Sequence, residues 1–513
     1  MKHAFLIMSG LLIGGMLLGA SPAGAQADGQ GPRGEKKARP QGGGDGRRRD
    51  REAMELPPEV EALRHLSALP GRPTDRAVTL NLLADKPLEA WVEFGTAPGR
   101  YKARTSPVSL PPGKPVEVTL DNLKPDTAYV YRLQSRQPGA AVVTAGAEQG
   151  FHTQRAPGSS FRFEIQGDSH PERPQQFDPA LYARTLQAAA ADRPDFYLTI
   201  GDDFSVDTLR TVTPTPEAVH AIYLNQRLFL GLIGRAAPVF LVNGNHEQAA
   251  KCNLDGTAMS VAVLAQVDRN RYFPQPAPDN FYTGDAKPVE FIGPLRDYYA
   301  WTWGDALFVV IDPYWHADNP VDNPLGGGPK ARDNKGGGRD PWTATLGDDQ
   351  YQWLKKTLES SRAKYKFVFA HHVLGTGRGG IEDASLFEWG GQNRRGENEF
   401  KQRRPGWELP VHQLMAKNGV TIFFQGHDHI FVRQELDGVV YQTLPEPADP
   451  TYTLYNREAY RTGDALPNSG RVRVTVSPAK TTVEYLRSRL PQDATPEHPD
   501  GEVAFRYDIP AKH

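Results

Sequence analysis

The chain has 513 residues, of which 39% are hydrophobic, so it is long enough to form more than one folded domain with a large core. Its formal net charge of −2 gives no electrostatic argument for a nucleic-acid partner or another polyanion. Cys252 is the only cysteine, which excludes an intrachain disulfide and leaves the core and any bound metals as sources of stability.

Residues 1–25 are typical of a secretory signal peptide. Lys2 precedes an apolar run from Leu6 to Leu18, and Ala23-Gly24-Ala25 fits the small-x-small cleavage pattern. A retained membrane anchor is the alternative, but the apolar run is shorter than the roughly 20 residues that cross a bilayer. We therefore expect a secreted or periplasmic protein without a transmembrane segment in its mature chain.

Two segments of different composition follow. Residues 26–57 are rich in Gly, Arg, Lys and Asp and carry few apolar side chains, which predicts a disordered linker. Residues 58–155 predict an all-β domain, because short strand-like runs alternate with Pro and Gly turns. Within this domain the stretch Leu123–Arg132, with the sequence LKPDTAYVYR, resembles the tyrosine corner of fibronectin type III sandwiches and the N-terminal domain of purple acid phosphatases. The runs that predict strands are Val78–Leu83, Ala90–Phe94, Val116–Leu120 and Ala128–Leu133.

The pattern of the chain changes at Phe161, where apolar strands begin to end in polar motifs. Strand-like and helix-like stretches now alternate, which is the order of an α/β domain, and such sheets bind ligands at the carboxyl ends of their strands. We expect this domain to span residues 160–440 and a β extension to cover residues 441–513. The five strand-end motifs are Gly167-Asp168-Ser169-His170, Gly201-Asp202-Asp203, Gly244-Asn245-His246-Glu247, His371-His372 and Gly426-His427-Asp428-His429.

Two irregular stretches lie between these motifs, at residues 318–342 and 376–408. Their many Gly and charged residues predict surface loops. Their role is open, since loops of this kind decide substrate choice on a shared fold.

The five motifs together predict a metal centre, although each one alone is a weak signal. Six of the 14 histidines lie in them, next to Asp and Asn. Carboxylate, imidazole and amide oxygen together suit divalent transition metals. Two such ions about 3.5–4 Å apart need a ligand that bridges them.

The order Asp-x-His, Gly-Asp, Gly-Asn-His-Glu, His and Gly-His-x-His resembles the calcineurin-like metallophosphoesterase superfamily over residues Phe161 to Val440. The resemblance implies a four-layer α/β/β/α sandwich and a centre of two metal ions. It also implies that His246 stabilises the transition state or protonates the leaving oxygen without binding metal. By the same resemblance the metal ligands are Asp168, His170 and His429 for the first ion, Asn245, His371 and His427 for the second, and Asp202 for both.

Within the superfamily the domain order is similar to that of purple acid phosphatases, with one departure. That family places an iron-binding Tyr three residues after the Asp of Gly-Asp, where this chain has Ser205. We infer that His170 replaces the tyrosinate. Without that anionic oxygen, two divalent ions such as manganese, zinc or ferrous iron are expected rather than a fixed ferric ion.

Several neighbours of the expected ligands have open roles. His371 and His372 compete for one ligand position, and the resemblance favours His371, which makes His372 a support or a substrate contact. Asp203 is either a support for the ligands or a turn residue. Glu247 either orients His246 or begins the next segment. Asp428 is expected to point away from the metals, and for Asp312 and His316 we favour a turn role over a place at the rim of the site.

The sequence therefore predicts a metal-dependent phosphoric ester hydrolase that acts on small-molecule phosphate esters, with monoesters slightly favoured. A phosphodiesterase or nucleotidase on the same site is the alternative. A non-catalytic surface or adhesion protein is the alternative from another class, but it would not need all seven ligands. No specific nucleic-acid partner is indicated.

Overall fold

The computed structural model describes residues 55–209, 214–321, 340–374 and 377–511. The expected signal peptide and nearly all of the expected linker lie outside these residues, as does most of the expected loop 318–342. In the part of the chain that is described, no helix combines the length and the apolar composition that crossing a membrane requires.

The N-terminal domain is all β after a single short helix, α1 (Pro58–Glu61). One sheet has the strand order β1-β2-β6, and the other has the order β4-β3-β7-β8, with β5 paired to β3 and β9 paired to β7. Buried side chains such as Leu80, Val92 and Tyr131 form one core from both sheets. The strands are β1 Leu66–Gly71, β2 Val78–Ala84, β3 Leu88–Gly95, β4 Ala103–Arg104, β5 Val108–Leu110, β6 Val116–Leu120, β7 Ala128–Arg136, β8 Thr144–Ala145 and β9 Gln149–His152.

The stretch that resembles a tyrosine corner has a matching contact. The amide of Lys124 donates a hydrogen bond to the hydroxyl of Tyr129 (2.8 Å), five residues downstream. The assignment of the domain to fibronectin type III sandwiches stays a prediction.

The second domain consists of two large sheets, the helices that cover them and a separate two-stranded sheet of β14 and β15. The helices are α2 Pro179–Ala191, α3 Pro216–Gly234, α4 Val261–Tyr272, α5 Gly347–Ser360, α6 Phe387–Gly390, α7 Phe400–Arg403 and α8 Val411–Lys417. The strands are β10 Phe161–Gln166, β11 Phe196–Thr199, β12 Val239–Leu241, β13 Thr283–Gly284, β14 Pro288–Val289, β15 Gly293–Pro294, β16 Tyr299–Trp303, β17 Ala306–Val310, β18 Tyr365–Phe369, β19 Ile422–Gln425, β20 Phe431–Leu436, β21 Val439–Thr443, β22 Asp464–Leu466, β23 Gly470–Val476, β24 Lys480–Arg487 and β25 Val503–Pro510. The capping residues of helices α2 and α3 are Asp178 and Thr215, whose side chains accept hydrogen bonds from amides of the first turn. A proline follows each cap at the first helical position.

The two sheets pack face to face between helices, which confirms the four-layer α/β/β/α sandwich. The sheets have the orders β12-β11-β10-β23-β24-β25 and β13-β16-β17-β18-β19-β21-β20-β22. Alternate residues of one strand point to opposite faces, so Phe367 and Phe369 enter the core between the sheets while Val368 packs with α5 and α8. Helix α2 packs against β23, and α3 packs against β12.

The residues after Val440 do not form a separate extension. Strand β21 belongs to the eight-stranded sheet, and β23 pairs antiparallel with β10, the first strand of the domain. Without β23, strand β10 would be an edge strand with one row of unpaired backbone N–H and C=O groups.

The described part of the predicted loop 376–408 also differs from the expectation. It contains α6 and α7, and it buries Phe387, Trp389 and Trp407 in the core on the outer face of the eight-stranded sheet. Helices of four residues are too short to show a helical periodicity in the sequence. The many Gly and charged residues therefore predicted a surface loop.

Candidate metal centre

The carboxyl ends of the strands bring the five motifs together. Strands β10, β11 and β12 run parallel, as do β18 and β19. Each motif begins one to three positions after the last residue of its strand. Since parallel strands end at the same edge of a sheet, the side chains converge at one end of the sandwich.

One cluster of possible ligands consists of Asp168, His170 and His429, whose ligand atoms lie within 4.8 Å of one another. The Nε2 atoms of the two histidines are 3.1 Å apart, and Oδ2 of Asp168 is 3.2 Å from Nε2 of His429. All three side chains are buried.

A second cluster consists of Asp202, His371 and His427, with the same spacing limit. Asn245 joins it, because its Oδ1 lies 3.1 Å from Nε2 of His371. The Nε2 atom of His371 is also 3.2 Å from Nδ1 of His427.

Asp202 connects the two clusters. Its Oδ2 atom lies 3.0 Å from Nε2 of His371 in one cluster and 3.7 Å from Nε2 of His170 in the other. Its Oδ1 atom accepts a hydrogen bond from the amide of His246 (2.8 Å), which fixes the plane of the carboxylate.

The histidines are oriented as metal ligands are. The Nδ1 atoms of His170, His371 and His429 face the acceptors Glu172 Oε1 (2.9 Å), the carbonyl of Ile200 (2.9 Å) and Glu446 Oε1 (3.2 Å). When Nδ1–H is used in this way, the lone pair of Nε2 is left for the centre of the cluster. These donors therefore fit two cations.

The electrostatics also fit cations. Burial would raise the pKa of Asp168 and Asp202, but the positive charge of His371 lowers both values. Hydrogen bonds of His170 and His429 to Asp168, and the charge of His246 and the hydrogen bond of His371 at Asp202, help to keep both pKa values well below the usual range. Burial would likewise lower the pKa of His371, but the charges of Asp202 and Asp168 raise it to about 10. The buried, ionised carboxylates of Asp168 and Asp202 therefore favour a cation in the space that Nε2 of His371 faces.

The backbone at the centre is held in an unusual conformation. His170, Asp202, His427 and His429 all have positive φ, between 44° and 67°. This left-handed region is unfavourable for residues with a Cβ and is typical of sites where the surrounding structure enforces a geometry.

Gly426 is needed for the approach of two motifs. A Cβ at this position would overlap Oδ1 of Asp168 and Cγ2 of Ile200. Replacing Gly426 with alanine should therefore displace Asp168 and destabilise the fold by about 1–3 kcal/mol. Thermal unfolding measures the loss, and Gly406→Ala is the matched control, since no atom lies near the added Cβ and its φ is ordinary. Equal melting temperatures for the two variants would contradict this account.

His246 lies at the edge of the two clusters and is more open than they are, with 17% of its side chain exposed. Its Nε2 atom is 3.9 Å from Oδ2 of Asp202 and 3.3 Å from a guanidinium nitrogen of Arg173. Its Nδ1 atom lies 3.0 Å from Oδ2 of Asp207. With Asp207 beside Nδ1, Nε2 is the ring nitrogen that lies next to Asp202 and Arg173.

A model of the calcineurin-like phosphoesterase family matches residues 161–431 of this chain. The chain belongs to the calcineurin-like phosphoesterase family. Members of this family hydrolyse phosphate esters with divalent metal ions, so the protein is a metal-dependent phosphoester hydrolase whose substrates are small-molecule phosphate esters.

Solved structures agree with this family in fold. The structure of PhoD is 15% identical over 82% of this chain and 86% of its own, with a TM-score of 0.57. Purple acid phosphatase PPD1 from seeds of yellow lupin (Lupinus luteus) is 17% identical over 87% of this chain and 74% of its own, with a TM-score of 0.53. No curated protein matches the chain.

The calcineurin-like centre separates His371 from His372. The Nε2 atom of His371 enters the cluster, whereas Nδ1 of His372 lies 3.3 Å from the hydroxyl of Tyr314. The ring of His372 is also 5.0 Å from that of His427, centroid to centroid. The geometry therefore agrees with His371 as the ligand and with His372 as a support.

Asp203 and Glu247 lie behind the calcineurin-like centre rather than in it. Asp203 accepts hydrogen bonds from Ser169 Oγ (2.7 Å) and Gln166 Nε2 (3.0 Å). Glu247 neither orients His246 nor serves only to begin the next segment. It accepts hydrogen bonds from the amides of Asp203 (2.8 Å) and Gly244 (2.6 Å), which ties the second motif to the third.

The other open positions have defined partners. Asp428 points away from the clusters and accepts hydrogen bonds from Gly379 N (2.8 Å) and Arg378 Nη1 (3.1 Å). Asp312 accepts from the amide of Tyr314 (2.7 Å), which is a turn role, and also from Asn243 Nδ2 (2.7 Å), beside the third motif. His316 pairs with Asp297 instead of reaching the rim.

Five residues that contact the centre were not predicted. Glu172, Arg173 and Asp207 follow the first and second motifs by two to four residues, so a search of charged residues close to each motif could have found them. Glu446 and Asn468 lie in distant segments. Asn468 donates to the carbonyl of His429 (2.9 Å) and to Glu446 Oε2 (3.0 Å), a connection that no local pattern indicates.

Proposed function

We propose that the protein is exported and hydrolyses small phosphate monoesters with two divalent metal ions. The observation that carries this proposal is the pair of buried clusters that share Asp202. A centre in which one carboxylate faces both clusters suits an in-line displacement at phosphorus.

The ligands divide into two sets in this proposal. Asp168, His170 and His429 would hold one ion, Asn245, His371 and His427 the other, and Asp202 would hold both. When bound, the two ions neutralise phosphoryl oxygens and lower the pKa of a bound water. Nitrogen and oxygen donors without a tyrosinate favour manganese, zinc or ferrous iron.

His246 would donate a proton to the leaving oxygen. It is the one partly open histidine at the edge of both clusters, and it does not share its Nε2 with another histidine of the centre. Asp207, whose Oδ2 lies 3.0 Å from Nδ1, would hold the ring in place.

Arg173 favours monoesters over diesters. Its guanidinium lies beside His246, and among the residues that the structure describes its ion-pair partner is Glu172 Oε1 (3.3 Å), which is itself engaged with His170. With 30% of its side chain exposed, Arg173 is within reach of a bound ligand. A phosphate monoester carries one more negative charge than a diester, and guanidinium groups bind such dianions strongly.

Replacing Arg173 with glutamine should lower kcat/KM for p-nitrophenyl phosphate by about 10- to 100-fold, as expected for a lost hydrogen bond to a charged group. The value for bis(p-nitrophenyl) phosphate should change less than threefold. Arg173→Lys should recover part of the loss, and Arg184→Gln on helix α2 is the control. An equal loss on both substrates would contradict a preference for monoesters.

The basic activity is tested with purified protein and added manganese or zinc. Turnover of the monoester faster than the diester is expected. No turnover of either ester with both metals bound would support a non-catalytic surface protein instead.

Export rests on the pattern of residues 1–25. Cell fractionation should place the expressed full-length chain outside the cytoplasm, with Gln26 as its first residue. An uncleaved chain in the cytoplasm would contradict export.

A further inference from the structure

A second group of ligand-type side chains lies apart from the clusters described above. Asp285, Asp297 and His316 offer ligand atoms within 4.8 Å of one another, and none of the three belongs to the catalytic clusters. Asp285 follows β13, Asp297 precedes β16, and His316 follows β17. The pairing of β13 with β16 brings the two aspartates together, since the amide of Asp285 donates to the carbonyl of Tyr298 (3.2 Å).

The group holds more negative charge than its neighbours balance. Asp297 is completely buried and Asp285 is 4% exposed. Among the residues that the structure describes, His316 is the cationic group in direct contact with the two carboxylates, with its Nε2 atom 2.9 Å from Oδ2 of Asp297. Lys287 donates its backbone amide to Asp285 (2.8 Å), and its ammonium group, which pairs with Asp349 at the surface, acts on the pKa of Asp285 less than burial and the charge of Asp297 do. Two buried carboxylates beside a single imidazole leave an uncompensated charge, which is costly.

One oxygen of the group is left without a partner. Oδ1 of Asp297 accepts no hydrogen bond from any described residue, although it is buried. Buried carboxylate oxygens are nearly always hydrogen-bonded or bound to a cation. The neighbouring Asp312 does not supply a proton donor here, since its own oxygens accept from Asn243 and from the turn that follows it.

We propose that Asp285, Asp297 and His316 bind one divalent transition-metal ion, of the zinc or manganese class, separately from the catalytic centre. Two carboxylates and one imidazole form a donor set that such ions accept, with water in the remaining positions. The imidazole disfavours calcium, which takes oxygen ligands. Ligands of a tetrahedral ion with bonds of about 2.0 Å lie roughly 3.3 Å apart. The His316–Asp297 separation of 2.9 Å is close to that value, and the remaining separations lie within 4.8 Å.

The group also has a path to solvent. His316 is 16% exposed at its side chain and lines a cleft of about 420 Å³ together with Asp318, Trp342 and Trp407. An ion could reach the buried aspartates through this cleft. Because the residues after β13, before β16 and after β17 each supply one ligand, the ion would join three segments at the edge of the eight-stranded sheet and stabilise it.

Zinc binding to the full chain, after chelator treatment, tests the proposal. The wild type is expected to bind three zinc ions per chain by elemental analysis, and His316→Gln and Asp297→Asn are expected to bind two. Turnover of p-nitrophenyl phosphate by His316→Gln should remain within about twofold of the wild type. Asp349→Asn, which removes a nearby exposed carboxylate, is the control and should still bind three ions.

A second background separates this site from the catalytic centre. In the Asp202→Asn variant, adding His316→Gln should remove one further zinc ion, even if the catalytic centre no longer binds metal. Zinc should also raise the melting temperature of Asp202→Asn but not that of the double variant. If the zinc count does not change with His316→Gln, the group is an ion pair of protonated His316 with Asp297, and the proposal is wrong.

Discussion

Replacing Asp202 with asparagine is expected to lower kcat/KM for p-nitrophenyl phosphate by about 10³-fold or more, which corresponds to roughly 4 kcal/mol of transition-state stabilisation. Asn keeps the shape of the side chain and one carbonyl oxygen. It removes the negative charge that lies 3.0 Å from His371 and 3.7 Å from His170. The loss should therefore appear in metal content as well as in turnover.

Asp203→Asn is the matched control for this experiment. Asp203 is also buried and lies next in the chain, but its hydrogen bonds go to Ser169 and Gln166 behind the centre. Burial raises the pKa of Asp203 to about 7. Replacing this side chain with a neutral amide therefore changes the local charge less than the same replacement at Asp202 does. Full activity in Asp202→Asn, or equal losses in both variants, would overturn the bridging assignment.

Replacing His246 with asparagine is expected to lower kcat by about 10²- to 10⁴-fold, the range for a lost general acid. Metal content should stay unchanged, because His246 reaches neither cluster as closely as the ligands do. Asp207→Asn should cause a smaller loss in the same direction, since it leaves the ring in place but removes the charge at Nδ1.

The leaving group distinguishes a catalytic role for His246 from a structural one. p-Nitrophenolate leaves readily without a proton, whereas an alkoxide does not. The loss in His246→Asn should therefore be larger for an alkyl phosphate than for p-nitrophenyl phosphate. A loss of the same size for both esters, or a fall in bound metal, would mean that His246 only supports the ligands.

Much of the fold and of the centre could be predicted from the sequence because both follow strand ends. The sequence predicts apolar strands that end in polar motifs from Phe161 onward; β10 begins at Phe161, and the motif directly after it enters the first cluster. An apolar run that stops at Gly-Asp or His can be recognised within one segment of the sequence. Because parallel strands end at the same edge of a sheet, the residues after these runs lie close together in the fold.

The contacts that could not be predicted cross long distances in the chain. Glu446 orients His429 only because β21 lies beside β19, and Asn468 reaches both from the segment before β23. The pairing of β23 with β10 is likewise invisible in either strand alone. Charge and hydropathy patterns describe one segment at a time, so they assign such residues to no site.

The pairing of β10 with β23 also sets the order in which the protein can become active. Arg471 on β23 forms an ion pair with Glu164 on β10 (2.6 Å), across 307 positions of the chain. Contacts of such sequence separation form late in folding. During synthesis, β10, the strand that precedes Asp168, can pair with β23 only after nearly the whole chain has been made. A ribosome that stops before β23 would therefore release a chain that has all seven ligand residues but an incomplete sheet beneath them.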